Sequence, residues 1–301
     1  MKVLAAILIL FICNYSYCQN LVPNSSFEKL TNCNALGSGI SNLKAPPWNS
    51  PDRGSPDLFN TCSINDSTWL VPQNTRGYRY PHSGNGYAGA IFYSHGPFRE
   101  YLQVKLDSDL VANQTYDVSF FVALSKTRYV ACNNIGLYFS KTEIQTDSVL
   151  SLHLLPQILE KTIITDTNWR AIGGKYIAQG GERYIIIGNF FNDKNTSLFF
   201  PPDPIFGDFS YYFIDDVSIQ RGSPLCNANF NIQTNLSSNF IKISGPSCKS
   251  RIRIYNALAQ LLYQTDFINS TDINVAFLPA GIYFIECENG SQRMTKKFRK
   301  G

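Results

Sequence analysis

Aromatic and polar side chains near loops and strand ends are the residues of this chain best suited to hold a polar ligand. Exposed aromatic rings can stack on the flat faces of sugar rings, while guanidinium, amide or carboxylate groups fix the hydroxyls. For each aromatic residue the alternative is core packing, because β-sandwiches bury Tyr and Trp as filler. Trp169, which begins a strand, is predicted to be core. The predicted ligand-binding set is Trp48, Tyr78, Tyr80, Tyr93, Arg99 and Tyr101.

Catalytic chemistry has fewer candidates. The histidines are His82, His95 and His153, and none lies in an H-E-x-x-H or nucleophile-elbow pattern. The tetrapeptide that begins at His82 is interpreted as a turn before a strand. If the first domain is a binding module, we expect exposed aromatic rings near Arg99 and no histidine beside a carboxylate. If it is a hydrolase, we expect His82 or His95 to be hydrogen-bonded to an Asp or Glu side chain in a pocket.

The composition favours β structure and two domains. The chain has 301 residues, of which 44% are apolar and 16% charged, with 17 Tyr and 21 Phe. Such a composition is far from disordered, and aromatic residues are enriched in strands. A single core rarely grows beyond about 250 residues, so two domains are expected. The net charge is +4, but the basic residues are scattered apart from residues 293–300. We therefore predict no nucleic-acid binding.

The first 18 residues are typical of a secretory signal peptide. Lys2 precedes an apolar run over residues 3–12, and polar and small residues follow up to Cys18. The mature protein is expected to begin at Gln19. The apolar run is too short for a permanent transmembrane helix, and no later stretch reaches the roughly 20 apolar residues required. The alternative is that Cys18 carries the lipid of a bacterial lipoprotein.

Cysteines beyond the signal peptide favour disulfides, because an exported chain meets an oxidising environment. They are Cys33, Cys62, Cys132, Cys226, Cys248 and Cys287. We favour a bridge between Cys33 and Cys62, with Cys226, Cys248 and Cys287 supplying a second one. No C-x-x-C pair is present, so a zinc site is not expected.

Strand-like runs separated by turn residues extend from Gly86 to Gln220, a spacing that predicts an antiparallel sandwich or barrel. In residues 115–124 apolar and polar positions alternate until Phe121 interrupts them, which predicts a strand buried on both faces at its middle. A short helix is expected near residues 148–159. The predicted organisation is a signal peptide at 1–18, a first domain at 19–222, a linker at 223–229 and a second domain at 230–301.

The second domain resembles the C-terminal sorting domain of the type IX secretion system, a small Ig-like β-sandwich of exported Bacteroidetes proteins. The resemblance rests on I-R-I-Y-N-A-L-A-Q at residues 252–260, L-P-A-G-I-Y-F at 278–284 and M-T-K-K-F-R-K at 294–300. Ala259 departs from the Gly common in the family. The resemblance implies an outer-membrane translocon and surface-attachment machinery as partners. It implies a sorting signal that includes Gly281, Tyr283, Lys296, Lys297 and Lys300.

The first domain resembles an exported module built like the galactose-binding jelly rolls and carbohydrate-binding modules. The resemblance is carried by N-L-V-P-N-S-S-F-E at residues 20–28, H-S-G-N-G-Y-A-G at 82–89 and Y-Y-F-I-D-D-V-S-I at 211–219. In such jelly rolls a Glu near the first strand and an Asp in the last strand bind a structural Ca²⁺. Glu28 and Asp215 or Asp216 match those positions, and carboxylate oxygens suit Ca²⁺.

These observations lead to one principal hypothesis and two rivals. The protein is expected to be all-β, a jelly-roll sandwich followed by a small Ig-like sandwich. It is expected to be a secreted or cell-surface protein without a transmembrane span, exported through its C-terminal domain. The first domain is expected to be a non-catalytic module that binds a glycan or another surface ligand. The rivals are a secreted hydrolase with a loop-borne site and a structural envelope or adhesion component.

Overall fold

The structure of the protein is a computed structural model that divides the chain into two compact units, up to Gly222 and from Ser223 onward. It describes residues 19–33, 44–96, 98–126, 129–148, 150–202, 209–222, 230–235, 239–246, 248–289 and 292–301. The predicted signal peptide at 1–18 and linker at 223–229 lie outside these residues. The described residues contain no α-helix.

The first unit is a jelly-roll β-sandwich of antiparallel strands. Its strands are β1 (Asp57–Asn60), β2 (Gly86–Ser94), β3 (Leu102–Lys105), β4 (Thr115–Leu124), β5 (Ala131–Cys132), β6 (Ile135–Ser140), β7 (Ile158–Glu160), β8 (Arg170–Ile177), β9 (Tyr184–Asn189), β10 (Leu198–Phe199) and β11 (Phe209–Arg221). One sheet has the order β1-β2-β11-β4-β8 and a second has the order β3-β9-β6-β7. Strands β10 and β5 form a short ladder of their own.

The core of the first unit lies between the two larger sheets. Alternate residues of a strand point to opposite faces, so Phe120 and Val122 of β4 face inward and are fully buried. From the other sheet, Leu137 of β6 and Ile185 and Ile187 of β9 join the same apolar cluster. The inward alternation predicted for residues 115–124 is therefore confirmed.

A long segment covers the outer face of the five-stranded sheet. This covering segment, residues 61–85, connects β1 to β2 and crosses four strands. Its Trp69 ring packs on Phe59 of β1, and its Asn74 amide donates a hydrogen bond to the Tyr87 hydroxyl of β2. Farther along, the Arg76 guanidinium lies over the Tyr211 ring of β11, and the His82 ring stacks on Phe121 of β4. The middle of β4 is thus covered on both faces, as predicted, although Phe121 remains half-buried.

The helix predicted near residues 148–159 is wrong. The described part of this stretch contains no helix, and its last residues enter β7, which pairs with β6. Pro156 cannot donate a helical hydrogen bond, and the Leu152 N–H instead donates to the Tyr101 hydroxyl at 3.1 Å. Leu152 and Leu154 pack against Tyr101 and its neighbours, so tertiary contacts fix this irregular conformation.

The second unit is a small Ig-like sandwich with two sheets and one apolar core. Its strands are β12 (Asn231–Asn235), β13 (Phe240–Ser244), β14 (Ser250–Asn256), β15 (Leu261–Phe267), β16 (Ser270–Asn274), β17 (Gly281–Glu288) and β18 (Arg293–Lys300). Strands β12, β13 and β16 form a three-stranded sheet in the order β12-β13-β16. The other four form a sheet in the order β15-β14-β17-β18.

The disulfide predicted between Cys33 and Cys62 is confirmed. A cross-link across a loop of this length stabilises a fold by roughly 3 kcal/mol, mainly by restricting the unfolded chain. Cys248 is also disulfide-bonded, whereas Cys287 is a free, buried thiol and so does not supply the second bridge. Cys226, the remaining residue considered for that bridge, lies outside the described residues. No helix in the described ranges has the length and apolarity needed to cross a membrane.

Candidate functional site

The tip of the covering segment is held against the sheet by three carboxylates. Glu28 accepts hydrogen bonds from the backbone N–H groups of Asn85 and Gly86 at 2.7 and 3.0 Å. Asp215 of β11 accepts from the N–H groups of His82 and Ser83 at 2.9 and 3.2 Å. These bonds satisfy backbone donors that a turn otherwise leaves to water, and they fix the path of the chain on either side of Gly84.

Gly84 lets this turn approach Glu28 closely. It has φ of +67°, and a Cβ atom there would lie 2.4 Å from the Glu28 Oε1 atom. A larger residue would therefore be strained by its backbone conformation and would displace the carboxylate that holds the turn.

The third carboxylate belongs to Asp216, which orients the His82 side chain. The His82 Nδ1 atom is hydrogen-bonded to Asp216 Oδ2, and the Ser83 hydroxyl donates to Asp216 Oδ1 at 2.7 Å. The His82 ring stacks on Phe121 with 3.6 Å between ring centroids and meets the edge of Trp169 at 6.2 Å. The imidazole is therefore fixed on one side by a carboxylate and on two others by aromatic rings.

Two tyrosines extend this group of rings into solvent. The Trp169 indole N–H donates to the backbone carbonyl of Tyr80 at 2.9 Å, which ties the tyrosine segment to the start of β8. Tyr78 and Tyr80 are 56% and 63% exposed and contact each other edge to face at 5.8 Å. We call the five residues the aromatic strip: Tyr78, Tyr80, Trp169, His82 and Phe121.

The pKa values of the two aspartates beneath the strip are shifted in opposite directions. Burial, together with the neighbouring charge of Asp216, raises the pKa of Asp215 to about 7, although it accepts hydrogen bonds from Ser26 and Ser83. Partial burial also acts to raise the pKa of Asp216, but hydrogen bonds from His82 and Ser83 outweigh it and lower that pKa. At neutral pH Asp216 therefore places a negative charge beside the aromatic strip.

Four of the six predicted ligand-binding residues are buried, which corrects that part of the sequence interpretation. Trp48 packs on Phe27, and its indole N–H donates to a backbone carbonyl. The Arg99 guanidinium lies over the Tyr93 ring and pairs with Asp193 at 2.7 Å, while the Tyr101 hydroxyl donates to the carbonyl of Asn189. All four side chains are packed inside the unit, so Trp48, Tyr93, Arg99 and Tyr101 cannot stack on a ligand. Tyr78 and Tyr80 remain.

The predicted calcium ligands already accept hydrogen bonds from protein groups. Glu28 lies against Asn85 and Gly86, whereas Asp215 and Asp216 lie against His82 and Ser83. Within the described ranges no group of three or more His, Cys, Asp or Glu side chains could hold a metal ion. A Ca²⁺ ion would have to compete with these N–H donors for the carboxylate oxygens, and calcium binding stays a prediction.

The contact between His82 and Asp216 was expected for a hydrolase and not for a binding face. Of the hydrolase criteria, the histidine–carboxylate contact is met. Four cavities lined by described residues lie elsewhere, around Asp52, Phe230, Ser250 and Tyr255, and none of these four includes His82. The neighbouring hydroxyls of Ser26 and Ser83 donate to Asp215 and Asp216 rather than to the imidazole. Among the described residues His82 therefore has the acidic partner of a catalytic group but no nucleophile hydrogen-bonded to its ring.

The residues of the predicted sorting signal lie on two adjacent strands of the second unit. Gly281 and Tyr283 are in β17, and the Tyr283 hydroxyl donates to the carbonyl of Pro279 at 2.9 Å. In β18, Lys296 donates to the carbonyl of Ile232 and Lys300 to the Asn239 side chain. Lys297, between them, is exposed.

Comparison with known families identifies this unit. Residues 227–300 match the family described as the secretion system C-terminal sorting domain. The second unit is a type IX sorting domain. A domain of this kind indicates a secreted or cell-surface protein and implies the secretion machinery as a partner. No curated protein matches the chain.

Solved structures with related folds include adhesins and a carbohydrate-binding module. One is the K3 cleaved adhesin domain of Lys-gingipain from Porphyromonas gingivalis, with 16% identity, 62% of this chain and 98% of that chain covered, and a TM-score of 0.32. Another is the CBM22-1 xylan-binding domain of Xyn10C from Paenibacillus barcinonensis, with 11% identity, coverages of 65% and 91%, and a TM-score of 0.33. The adhesin domain of Epf from Streptococcus pyogenes has 11% identity, coverages of 93% and 96%, and a TM-score of 0.35. With TM-scores below 0.5, these similarities transfer no ligand to this chain.

Three members of the aromatic strip were not among the predicted binding residues. The tetrapeptide that begins at His82 was interpreted only as a turn, Phe121 as part of a doubly buried strand, and Trp169 as core. The interruption of the alternation at Phe121 was a usable signal, because an apolar residue on an outer face needs a cover or a ligand. No local pattern indicates that His82 and Trp169 provide that cover from distant parts of the chain.

Proposed function

We propose that the first unit is a non-catalytic binding module that the sorting domain delivers to the cell exterior, and that it binds glycan chains on the aromatic strip. The proposal is supported chiefly by Tyr78 and Tyr80, two adjacent rings that are more than half exposed although Arg76 and His82 on either side of them are packed on the sheet. Exposed rings on a fixed backbone lose little entropy when they stack on a sugar face. Asp216 and Ser83 supply polar groups beside the rings, as recognition of sugar hydroxyls requires.

A glycan-array screen of the mature chain, residues 19–301, tests this proposal. We expect selective binding that weakens about tenfold on Tyr80→Ala, because an interface aromatic side chain commonly contributes more than about 1 kcal/mol. Tyr78→Ala should have a similar effect. Both side chains are exposed, so neither change should unfold the unit. Phe199→Ala is the matched control, since Phe199 is 49% exposed on β10 and outside the strip. Equal loss with the control, or no selective binding, would contradict the proposal.

Calcium binding by the same protein is tested by thermal unfolding. An ion that binds only the folded protein raises its melting temperature. A higher melting temperature in CaCl₂ than in a chelator, absent in Glu28→Gln, would support the predicted calcium site. Equal melting temperatures would contradict it.

The hydrolase remains a second candidate because of the contact between His82 and Asp216. Incubating each array hit with the protein and measuring new reducing ends separates the two functions. Binding without new ends supports the binding module. New ends that decrease far more than binding does in Asp216→Asn would instead support the hydrolase.

A further inference from the structure

The outer face of the four-stranded sheet in the sorting domain is organised in rows of directly paired residues. Two rows are charged or polar: Asp266–Arg251–Glu288–Arg293 and Gln264–Arg253–Glu286–Thr295. Arg253 forms ion pairs with Glu286 at 3.0 Å and Glu288 at 2.6 Å, and Arg251 pairs with Asp266 at 3.0 Å. In this half of the face the charges have partners within the domain.

The next row on the same face is apolar except at one end. It runs Leu261–Tyr255–Phe284–Lys297 across all four strands. Ile282 extends the apolar surface along β17, opposite Arg299 of β18. Leu261 is 51% and Ile282 42% exposed, and Tyr255 and Phe284 line a cavity of about 230 Å³ at the sheet surface. We call these six residues the apolar–basic row.

Two cations at the β18 end of this row have no partner within the described ranges. Lys297 and Arg299 are both exposed, and neither makes an ion pair or a side-chain hydrogen bond there. Lys296 and Lys300 differ, because they donate to groups of the three-stranded sheet and join the two sheets of the domain. Of the three lysines in the predicted signal, only Lys297 is therefore free to contact another molecule.

We propose that the apolar–basic row is the surface on which the sorting domain binds a protein partner, and that the partner presents an apolar segment flanked by acidic side chains. This inference rests on the export role of the domain. Charge complementarity requires acidic groups from outside, because the acidic side chains on the same face already pair with Arg251, Arg253 and Arg293. Two free cations are fewer than the four to eight that typically bind anionic lipid surfaces, which favours a protein.

Export of the full chain from a host with a type IX system is the first test. Lys297→Glu combined with Arg299→Glu reverses the charge at exposed positions, and Phe284→Ser removes the centre of the apolar surface. We expect at least a tenfold loss of exported protein with accumulation inside the outer membrane. The matched controls are Lys242→Glu and Phe240→Ser on the outer face of β13, where Phe240 is 43% exposed. They should be exported normally.

Thermal unfolding of each purified variant separates a binding defect from a folding defect. If Phe284→Ser does not fold, export of the charge-reversal variant alone tests the proposal. Normal export of a folded charge-reversal variant would overturn the proposal. Deletion of residues 230–301 is the further control. Export of that truncated chain at the normal level would instead contradict the sorting function itself.

The chemistry of the partner is tested by photo-crosslinking. A benzophenone amino acid replaces Phe284 in the full chain, or Phe240 as the control, and cross-linked peptides are identified by mass spectrometry. We expect cross-links from position 284 to a peptide that contains Asp or Glu beside apolar residues, and not from position 240. Cross-links only to lipid, or to peptides without acidic residues, would overturn the proposed partner.

Discussion

Three carboxylates of the first unit and two of the second lie in opposite environments. In the first unit Asp57, Glu100 and Asp215 are buried, and burial is the largest cause of the raised pKa of each. In the second unit Glu288 and Asp266 lie on an open sheet face, where hydrogen bonds from Arg253 and Arg251 lower their pKa values. Both units are antiparallel sandwiches, so the difference does not come from the sheets.

Loop length explains this contrast. The covering segment, residues 61–85, lies across the outer face of the first sheet and encloses polar groups together with aromatic rings. In the second unit β14 and β15 are joined by a tight turn at residues 257–260, which leaves the outer face open. The proposed ligand surface of the first unit is thus carried by a long anchored loop, whereas the proposed partner surface of the second unit is the open sheet itself.

The largest expected effect is that the stabilities of the two units change with pH in opposite directions. Burial raises the pKa of Glu100 to about 7, so between pH 4.5 and 7 its folded form binds more protons than the unfolded chain. The free energy of unfolding should therefore fall with rising pH in this window, by about 3 kcal/mol at most from Glu100 alone. Asp215 acts in the same direction. The lowered pKa values in the second unit contribute stability that is present above pH 4 and is lost on acidification.

Tryptophan fluorescence can separate these two responses. All three tryptophans, Trp48, Trp69 and Trp169, belong to the first unit, so their signal follows its unfolding alone. Denaturant midpoints at pH 4.5, 5.5, 6.5 and 7.5 should decrease in this order until pH 7. Midpoints that stay constant or increase would show that burial does not control these carboxylates.

A smaller effect is expected from removing one buried hydroxyl. Tyr211 donates to Asp57 Oδ2 at 2.6 Å, and the other carboxylate oxygen of Asp57 has no hydrogen-bond partner. Tyr211→Phe should destabilise the first unit by about 1–3 kcal/mol, because it deprives a buried charged group of a donor. Tyr255→Phe on the open face of the second unit is the control and should leave stability nearly unchanged. An equal loss of stability in the two variants would contradict the expected difference between the buried environment of the first unit and the open face of the second.

The smallest effect concerns the tight turn of the second unit. Ala259 has φ of +59°, a left-handed conformation that costs a non-glycine residue about 1–2 kcal/mol. Ala259→Gly should relieve this strain, although glycine loses more entropy on folding, so a net gain of less than about 1 kcal/mol is expected. Calorimetric unfolding of the full chain provides the measurement, because the transition that leaves tryptophan fluorescence unchanged belongs to the second unit. A lower melting temperature would mean that the Ala259 methyl group contributes packing that outweighs its strain.

The exposure expected of the candidate ligand-binding residues is found where a single segment determines it and is absent where several segments meet. Tyr78 and Tyr80 lie two residues apart in a polar stretch, and both are exposed. Arg99 and Tyr101 also lie near strand ends, but polar groups from β9 and from residues 191–193 bury them. Their local sequence contains no sign of that cover.

The sequence by itself determined the all-β class and the sorting domain, because these depend on local alternation and a linear motif. It favoured the pairing of Cys33 with Cys62, which the tertiary structure then decided. Tertiary structure decided which outer-face residues are covered. His82 reaches Phe121 and Asp216, and Arg76 reaches Tyr211, only because the covering segment crosses the sheet. The physical reason is that strand alternation assigns a side chain to a face, whereas its exposure depends on distant segments that compete with water for that face.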